Sequence, residues 1–159
     1  MPTRATRPDG LPDRVLRPVE TPRMYFENEA KRFKDVIESV EGDTFVGFIH
    51  DRTDPDALGW VVLTHRLLRE RFNKSFAAFY SKKIAFLMNR AIVKNFLPAG
   101  VLSRVEENRE LTKEWLDKSS LILIGDCSSP EIIAGLGRYL RSDEGEKKPL
   151  LFIDHHAKV

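Results

Sequence analysis

Residues 44–56 read TFVGFIHDRTDPD, an apolar run that ends in a cluster of histidine and acidic side chains. Two further apolar runs end in a similar way: residues 121–126 read LILIGD, and residues 150–156 read LLFIDHH. Short apolar runs without polar alternation are typical of strands buried on both faces of a parallel sheet. Together with a weaker run, FAAFY at residues 76–80, they predict four strands.

Helical patterns separate these predicted strands. Apolar residues recur at intervals of three and four over residues 24–40, 57–72 and 84–97, and a more polar pattern covers 107–116. Ser129 as an N-cap with Pro130 at the first helical position predicts another helix that ends near residue 140. Alternating strands and helices predict an α/β fold, a doubly wound parallel sheet with flanking helices.

The first 23 residues differ in composition from the rest of the chain. They hold five of the nine prolines and no apolar period, so we expect a disordered tail at 1–23 and a folded domain at 24–159. The tail also carries five arginines against three acids, which leaves 21 basic and 21 acidic side chains in the remainder. The predicted domain therefore has no net charge that would attract a polyanion.

Composition also bears on localisation. No run of 18 apolar residues is present, so no membrane span is predicted, and the N-terminus lacks the apolar core of a signal peptide. The single cysteine, Cys127, cannot form a disulfide within the chain. These features favour a reducing, cytoplasmic environment.

Polar side chains follow the three strongest predicted strands, and the carboxyl ends of parallel strands meet at one edge of a sheet. The residues expected at this edge are His50, Asp54, Asp56, Asp126, Asp154, His155 and His156. Four carboxylates gathered there would repel one another, and divalent cations would remove that conflict. Imidazole and carboxylate ligands without thiolate suit manganese, magnesium, iron or zinc, and their number suits two cations that share a bridging carboxylate.

Each of these residues also has a purely structural interpretation. An aspartate after a strand is often a turn or cap residue, and Asp56, directly before Ala57, could cap the following helix. His65 lies within that helix without a partner motif, so we interpret it as a structural or surface residue. The recurrence of such residues at three strand ends favours a common site.

The motifs resemble those of the DHH phosphoesterases. His50-x-x-x-Asp54-x-Asp56-Ala57-x-Gly59 is similar to the first motif of that family, Gly125-Asp126 to the second, and Asp154-His155-His156 to the third. The segment 84–97, which contains Met88-Asn89-Arg90-Ala91, is also similar to the family's segment between motifs. The resemblance covers residues 43–157 and is nearest to the oligoribonuclease and nucleotide phosphatase branch.

The resemblance implies a role for each motif residue. His50 and Asp54 would hold one cation, Asp56 and His155 would hold the other, and Asp126 would bridge the two. His156 would contact the substrate phosphate, with Asp154 supporting the histidines, and both are the expected catalytic residues. Gly59 would allow the helix that follows the first motif to approach the sheet closely. The expected cofactors are two divalent cations, manganese first and magnesium as the alternative.

The same resemblance implies hydrolysis of phosphodiester or phosphomonoester bonds in nucleotides or short oligonucleotides by a water that two cations activate. The alternatives are a pyrophosphatase or exopolyphosphatase and a non-catalytic remnant or regulatory module that binds metal or nucleotide. The family's fourth metal-binding aspartate and C-terminal domain have no counterpart here, so the chain resembles a truncated domain that would be inactive alone. We therefore expect a missing C-terminal domain or partner chain, with a homodimer as an alternative.

Overall fold

The structure is a computed structural model that describes residues 22–51, 53–127, 133 and 148–154. Contacts divide the chain into two units, residues 1–36 and 37–159, and the sheet lies entirely in the second. The predicted tail at 1–23 falls almost wholly outside the described residues, as does nearly all of the helix expected over 129–140. None of the described helices is long and apolar enough to cross a membrane.

Five strands and four helices alternate along the described chain. The helices are α1 (Pro22–Ser39), α2 (Pro55–Phe72), α3 (Leu87–Phe96) and α4 (Arg109–Lys118). The strands are β1 (Thr44–Ile49), β2 (Ser75–Tyr80), β3 (Leu102–Arg104), β4 (Leu121–Gly125) and β5 (Leu150–Ile153). All strand pairs are parallel and the order is β3-β2-β1-β4-β5, which confirms the predicted α/β class.

Two features of the sheet differ from the sequence prediction. β3 was not predicted, because three residues are too few to show a period. β5 was expected to be buried on both faces, but Leu150 and Phe152 are 37% and 41% exposed. The physical reason is position, since β5 lies at the edge of the described sheet and β1, β2 and β4 fill its centre.

Helices pack on both faces of the sheet. On one face, Leu116 of α4 joins a buried cluster with Val46, Phe48 and Ile124 from the central strands. On the other face, Trp60 of α2 lies against Gly47 and Gly125, since successive residues of a strand point to opposite faces. The doubly wound arrangement is therefore present in the described chain.

The glycine that permits close helix packing is not the predicted one. A Cβ placed on Gly59 would have no heavy atom within 4 Å, so the role implied for Gly59 is wrong. A Cβ on Gly125 would instead lie 2.1 Å from Cδ2 of Trp60. Bare backbone at Gly125 therefore accommodates the indole, because a large aromatic side chain can approach a sheet only where no side chain opposes it.

Candidate metal centre

The strand order reverses between β1 and β4. From β1 the chain winds outward through β2 to β3, and it then crosses back to β4 on the other side of β1. Open α/β sheets bind ligands in the crevice at the carboxyl ends of the strands that flank such a reversal. Ile49 pairs with Gly125 at the ends of β1 and β4, so His50 and Asp126 follow side by side at this crevice.

Three of the predicted ligands converge there. His50 Nε2 lies 3.4 Å from Asp126 Oδ2 and 3.6 Å from Asp54 Oδ2. One ligand atom from each of the three residues lies within 4.8 Å of the others. An imidazole and two carboxylates at these separations fit a divalent cation such as manganese, magnesium, iron or zinc.

Asp54 reaches this cluster from the N-terminus of α2. Its Oδ1 accepts hydrogen bonds from the backbone N–H groups of Asp56 at 3.1 Å and Ala57 at 3.0 Å, so Asp54 is the N-cap. The alternative interpretation of Asp56 as the cap is therefore wrong. Pro55 occupies the first helical position, where its missing N–H costs nothing. The cap fixes one carboxylate oxygen of Asp54 while the other faces His50.

Asp126 is held in an unusual backbone conformation. Its φ is +52°, in the left-handed region that aspartate and asparagine tolerate better than most residues. Its N–H donates to Ile153 O at 2.9 Å, so the turn after β4 is tied to the end of β5. Asp126 is only 5% exposed, which places its carboxylate against the imidazole with little contact with solvent. Strain of this kind is common at functional sites.

A buried amide supports the loop that carries these ligands. Asn89 of α3 is 1% exposed, and its Nδ2 donates to Thr53 O at 2.9 Å. Thr53 directly precedes Asp54, and its Oγ1 donates to His50 O at 3.5 Å. Hydrogen bonds therefore hold the short loop between β1 and α2 near His50 and near Asp54. They limit the positions that these two side chains can adopt.

A second polar contact joins the ends of β1 and β2. Asp51, which follows His50, accepts a hydrogen bond from Ser81 Oγ, and its other oxygen lies 3.8 Å from Lys82 Nζ. Asp51 lies in the stretch after the first predicted strand but was not among the residues expected at the site, and no role was predicted for Ser81. The available signal was position, because Ser81 directly follows β2 and Asp51 is the second residue after β1.

His65 lies apart from this group. Burial is the main cause that lowers the pKa of His65, and the positive charges of Arg69 and Arg66 lower it further. The imidazole is therefore neutral near pH 7. His65 borders a cavity with Asn73 and Ser75, near the start of β2. This places it at the amino ends of the parallel strands, whereas His50 lies at their carboxyl ends.

Solved structures supply a comparison for this architecture. The fold is similar to that of an exopolyphosphatase-related protein from Bacteroides fragilis. The TM-score is 0.62 at 17% sequence identity, and the match covers 83% of this chain and 36% of that protein. At this identity the likeness concerns the fold alone. No protein-family model and no curated protein sequence matches the chain.

Of the remaining predicted residues, two are described but lie outside this cluster, and two lie outside the described residues. Asp56 lies in the first turn of α2, is exposed, and is not part of the described three-residue cluster. Asp154 follows β5 at the same edge of the sheet and is half-buried. His155 and His156 lie outside the described residues. The structure thus brings together His50, Asp54 and Asp126, which is the ligand set expected for one of the two cations.

Proposed function

We propose that this chain forms the cation-binding part of a metal-dependent phosphoesterase of the DHH type. The observation that carries the proposal is the convergence of His50, Asp54 and Asp126 at the point where the strand order reverses. The likeness in fold to an exopolyphosphatase-related protein supports the same class of chemistry. The proposed substrates are nucleotides or short oligonucleotides, whose phosphodiester or phosphomonoester bonds would be hydrolysed.

The residues have distinct proposed roles. His50, Asp54 and Asp126 would hold one cation. Asp56 and His155 would hold a second cation, toward which Asp126 would also contribute. When bound, the cations, manganese or magnesium, supply Lewis acidity and lower the pKa of a coordinated water. The N-cap hydrogen bonds hold one oxygen of Asp54 in place, and the hydrogen bond from Asp126 N–H to Ile153 O holds the turn that carries the Asp126 carboxylate. By the family resemblance, His156 would contact the substrate phosphate and Asp154 would support it.

Asp126→Asn tests the proposed cation site. Asparagine tolerates a positive φ and keeps the size of the side chain, so the variant removes charge with little effect on the backbone. Because a direct ligand matters at least as much as its supporting groups, we expect Mn²⁺ affinity to fall by more than about tenfold. Calorimetric titration of the EDTA-treated chain measures this affinity. Asp117→Asn, an exposed change of equal charge on α4, is the matched control.

Hydrolysis assays then decide between the candidate activities. A short RNA, a 3′-phosphoadenosine nucleotide, pyrophosphate and a polyphosphate would each be offered with Mn²⁺. Turnover that disappears in Asp126→Asn supports the hydrolase, and full activity in that variant contradicts it. Cleavage of pyrophosphate or polyphosphate alone supports the second candidate, a phosphoanhydride hydrolase, which the exopolyphosphatase-related fold favours. Cation binding without turnover of any substrate is the result expected both of the third candidate, a non-catalytic module, and of a hydrolase that needs its C-terminal domain.

A further inference from the structure

A basic cavity lies at the carboxyl ends of the strands, which is also where the candidate metal centre lies. Its volume is about 360 Å³, and it is bordered by Tyr80 at the end of β2 and Arg104 at the end of β3. Helix α3 contributes Arg90 and Lys94, and the loop after β2 contributes Lys83. The cavity therefore lies at the carboxyl ends of β2 and β3, the strands next to β1 on the side away from β4.

The lining carries positive charge that the protein's own acids do not neutralise. Glu107 is the one acidic residue that borders the cavity, and it pairs with Arg104 at 2.8 Å. Arg90 Nε donates to the backbone oxygen of Ile84 at 3.1 Å, which orients its guanidinium but leaves its charge uncompensated. Within the described part of the chain, Lys83 and Lys94 form no ion pair. Three cationic groups are thus available to an anion.

A hydrogen-bonded path connects this cavity with the metal centre. Arg104 Nε donates to Ser81 O at 2.8 Å, and Ser81 Oγ donates to Asp51, the residue after His50. The end of β3 is two strands away from the end of β1, a separation of about 10 Å. A chain of several phosphate groups can span such a distance, whereas a single phosphate cannot contact both places.

We propose that this cavity is an anion subsite that holds a non-scissile phosphate of a substrate with several phosphate groups. The inference rests on the proposed phosphoesterase function and extends it to the substrate, which would be a phosphate chain rather than a monophosphate. Lysine ammonium groups suit this task as mobile point charges, and the Arg90 guanidinium adds a planar donor. Burial, and to a smaller extent the charge of Glu107, raises the pKa of Tyr80, so its hydroxyl stays protonated and can donate.

The test measures binding without metal, so that the metal centre does not contribute. Sodium tripolyphosphate and a 5′-phosphorylated RNA trinucleotide are titrated by calorimetry into the full chain in EDTA. The double variant Lys83→Ala/Lys94→Ala is compared with Lys31→Ala/Lys113→Ala, which removes two exposed charges from helices outside the cavity. We expect about fivefold weaker binding in the cavity variant and little change in the control pair.

The two probes distinguish the sources of the phosphate chain. A greater loss for tripolyphosphate identifies an inorganic polyphosphate ligand, and a greater loss for the trinucleotide identifies nucleic acid. Unchanged affinity in the cavity variant, an equal loss in the control pair, or no saturable binding of either probe overturns the subsite. Because Mn²⁺ binding through Asp126 is measured separately, failure here removes the subsite and leaves the proposed function intact.

Discussion

At the scale of single residues, the candidate metal centre depends on side chains that do two tasks each. Asp54 caps α2 with one oxygen and faces His50 with the other, and Asp126, directly after β4, faces His50 with its carboxylate while its backbone N–H bonds to β5. These additional contacts limit the positions that each carboxylate can adopt. Preorganised ligands bind a cation with less ordering cost than ligands on a free loop.

Asn89 is the residue for which a single substitution is most informative. Asn89→Ala removes the donor to Thr53 O and leaves a buried carbonyl without that hydrogen bond, so we expect a loss of about 1–3 kcal/mol in the free energy of unfolding. Mn²⁺ affinity should also fall, because Thr53 precedes Asp54. Urea denaturation and metal titration measure the two effects.

Asn95→Ala provides the matched control on the same helix. Asn95 is exposed, so its replacement should change stability by no more than about 0.5 kcal/mol. Equal effects of the two substitutions would show that the Asn89 amide has no particular role in holding the loop.

At the scale of elements, α2 connects the packing of the fold to its proposed chemistry. Trp60 lies against the glycines of β1 and β4, and the same helix begins, less than two turns earlier, at the cap that faces His50. The packing of α2 on the sheet therefore positions Asp54 at the crevice. The N-terminus of α2 also carries the partial positive charge of the helix dipole, which stabilises a carboxylate or phosphate placed there.

Two substitutions of Asp54 separate its role as a cap from its role as a ligand. Asparagine is as good an N-cap as aspartate but lacks the charge, so Asp54→Asn should keep most of the stability and weaken Mn²⁺ binding about tenfold or more. Asp54→Ala should weaken binding similarly and also lose about 1 kcal/mol of stability through the missing cap. Chemical denaturation and calorimetry of both variants give the comparison. Full Mn²⁺ affinity in Asp54→Asn would remove Asp54 from the ligand set.

At the scale of the whole molecule, the site draws on distant parts of the sequence. Residues 50, 54 and 126 are separated by up to 76 positions, and only the folded sheet brings their side chains within 4.8 Å. A cation bound there would join β1, α2 and β4. Because such a site does not exist in the unfolded chain, binding energy becomes folding energy.

Added Mn²⁺ should therefore stabilise the chain against thermal unfolding. At a free concentration about 100 times Kd, the expected gain is about 2.7 kcal/mol, which corresponds to a rise of about 5–10 °C in Tm. Scanning calorimetry over a concentration series measures the effect, with Asp126→Asn as the control that should show little rise. A Tm that stays constant across the series in the unmodified chain would contradict a built cation site.

Local patterns in the sequence were sufficient for much of the fold. Four of the five strands follow from continuous apolar runs, and the four described helices follow from apolar residues at helical spacing, because both patterns reflect burial directly. The parallel sheet followed from their alternation, and its carboxyl edge was expected to gather the polar residues. His50, Asp54 and Asp126 could be chosen from this reasoning because they come directly after strands or just before a helix.

Other features depend on contacts between residues far apart in the chain. β3 is too short to show a period, the close approach at Gly125 depends on Trp60 from a different element, and the supporting role of Asn89 is evident only from its bond to Thr53. The choice of Asp54 as the cap, and the exposure of Asp56, were likewise decided by the path of the loop after β1. The sequence by itself shows which side chains are apolar, acidic or basic. Strand order and packing decide which of these side chains come into contact, because such contacts join residues far apart in the chain and no local pattern encodes them.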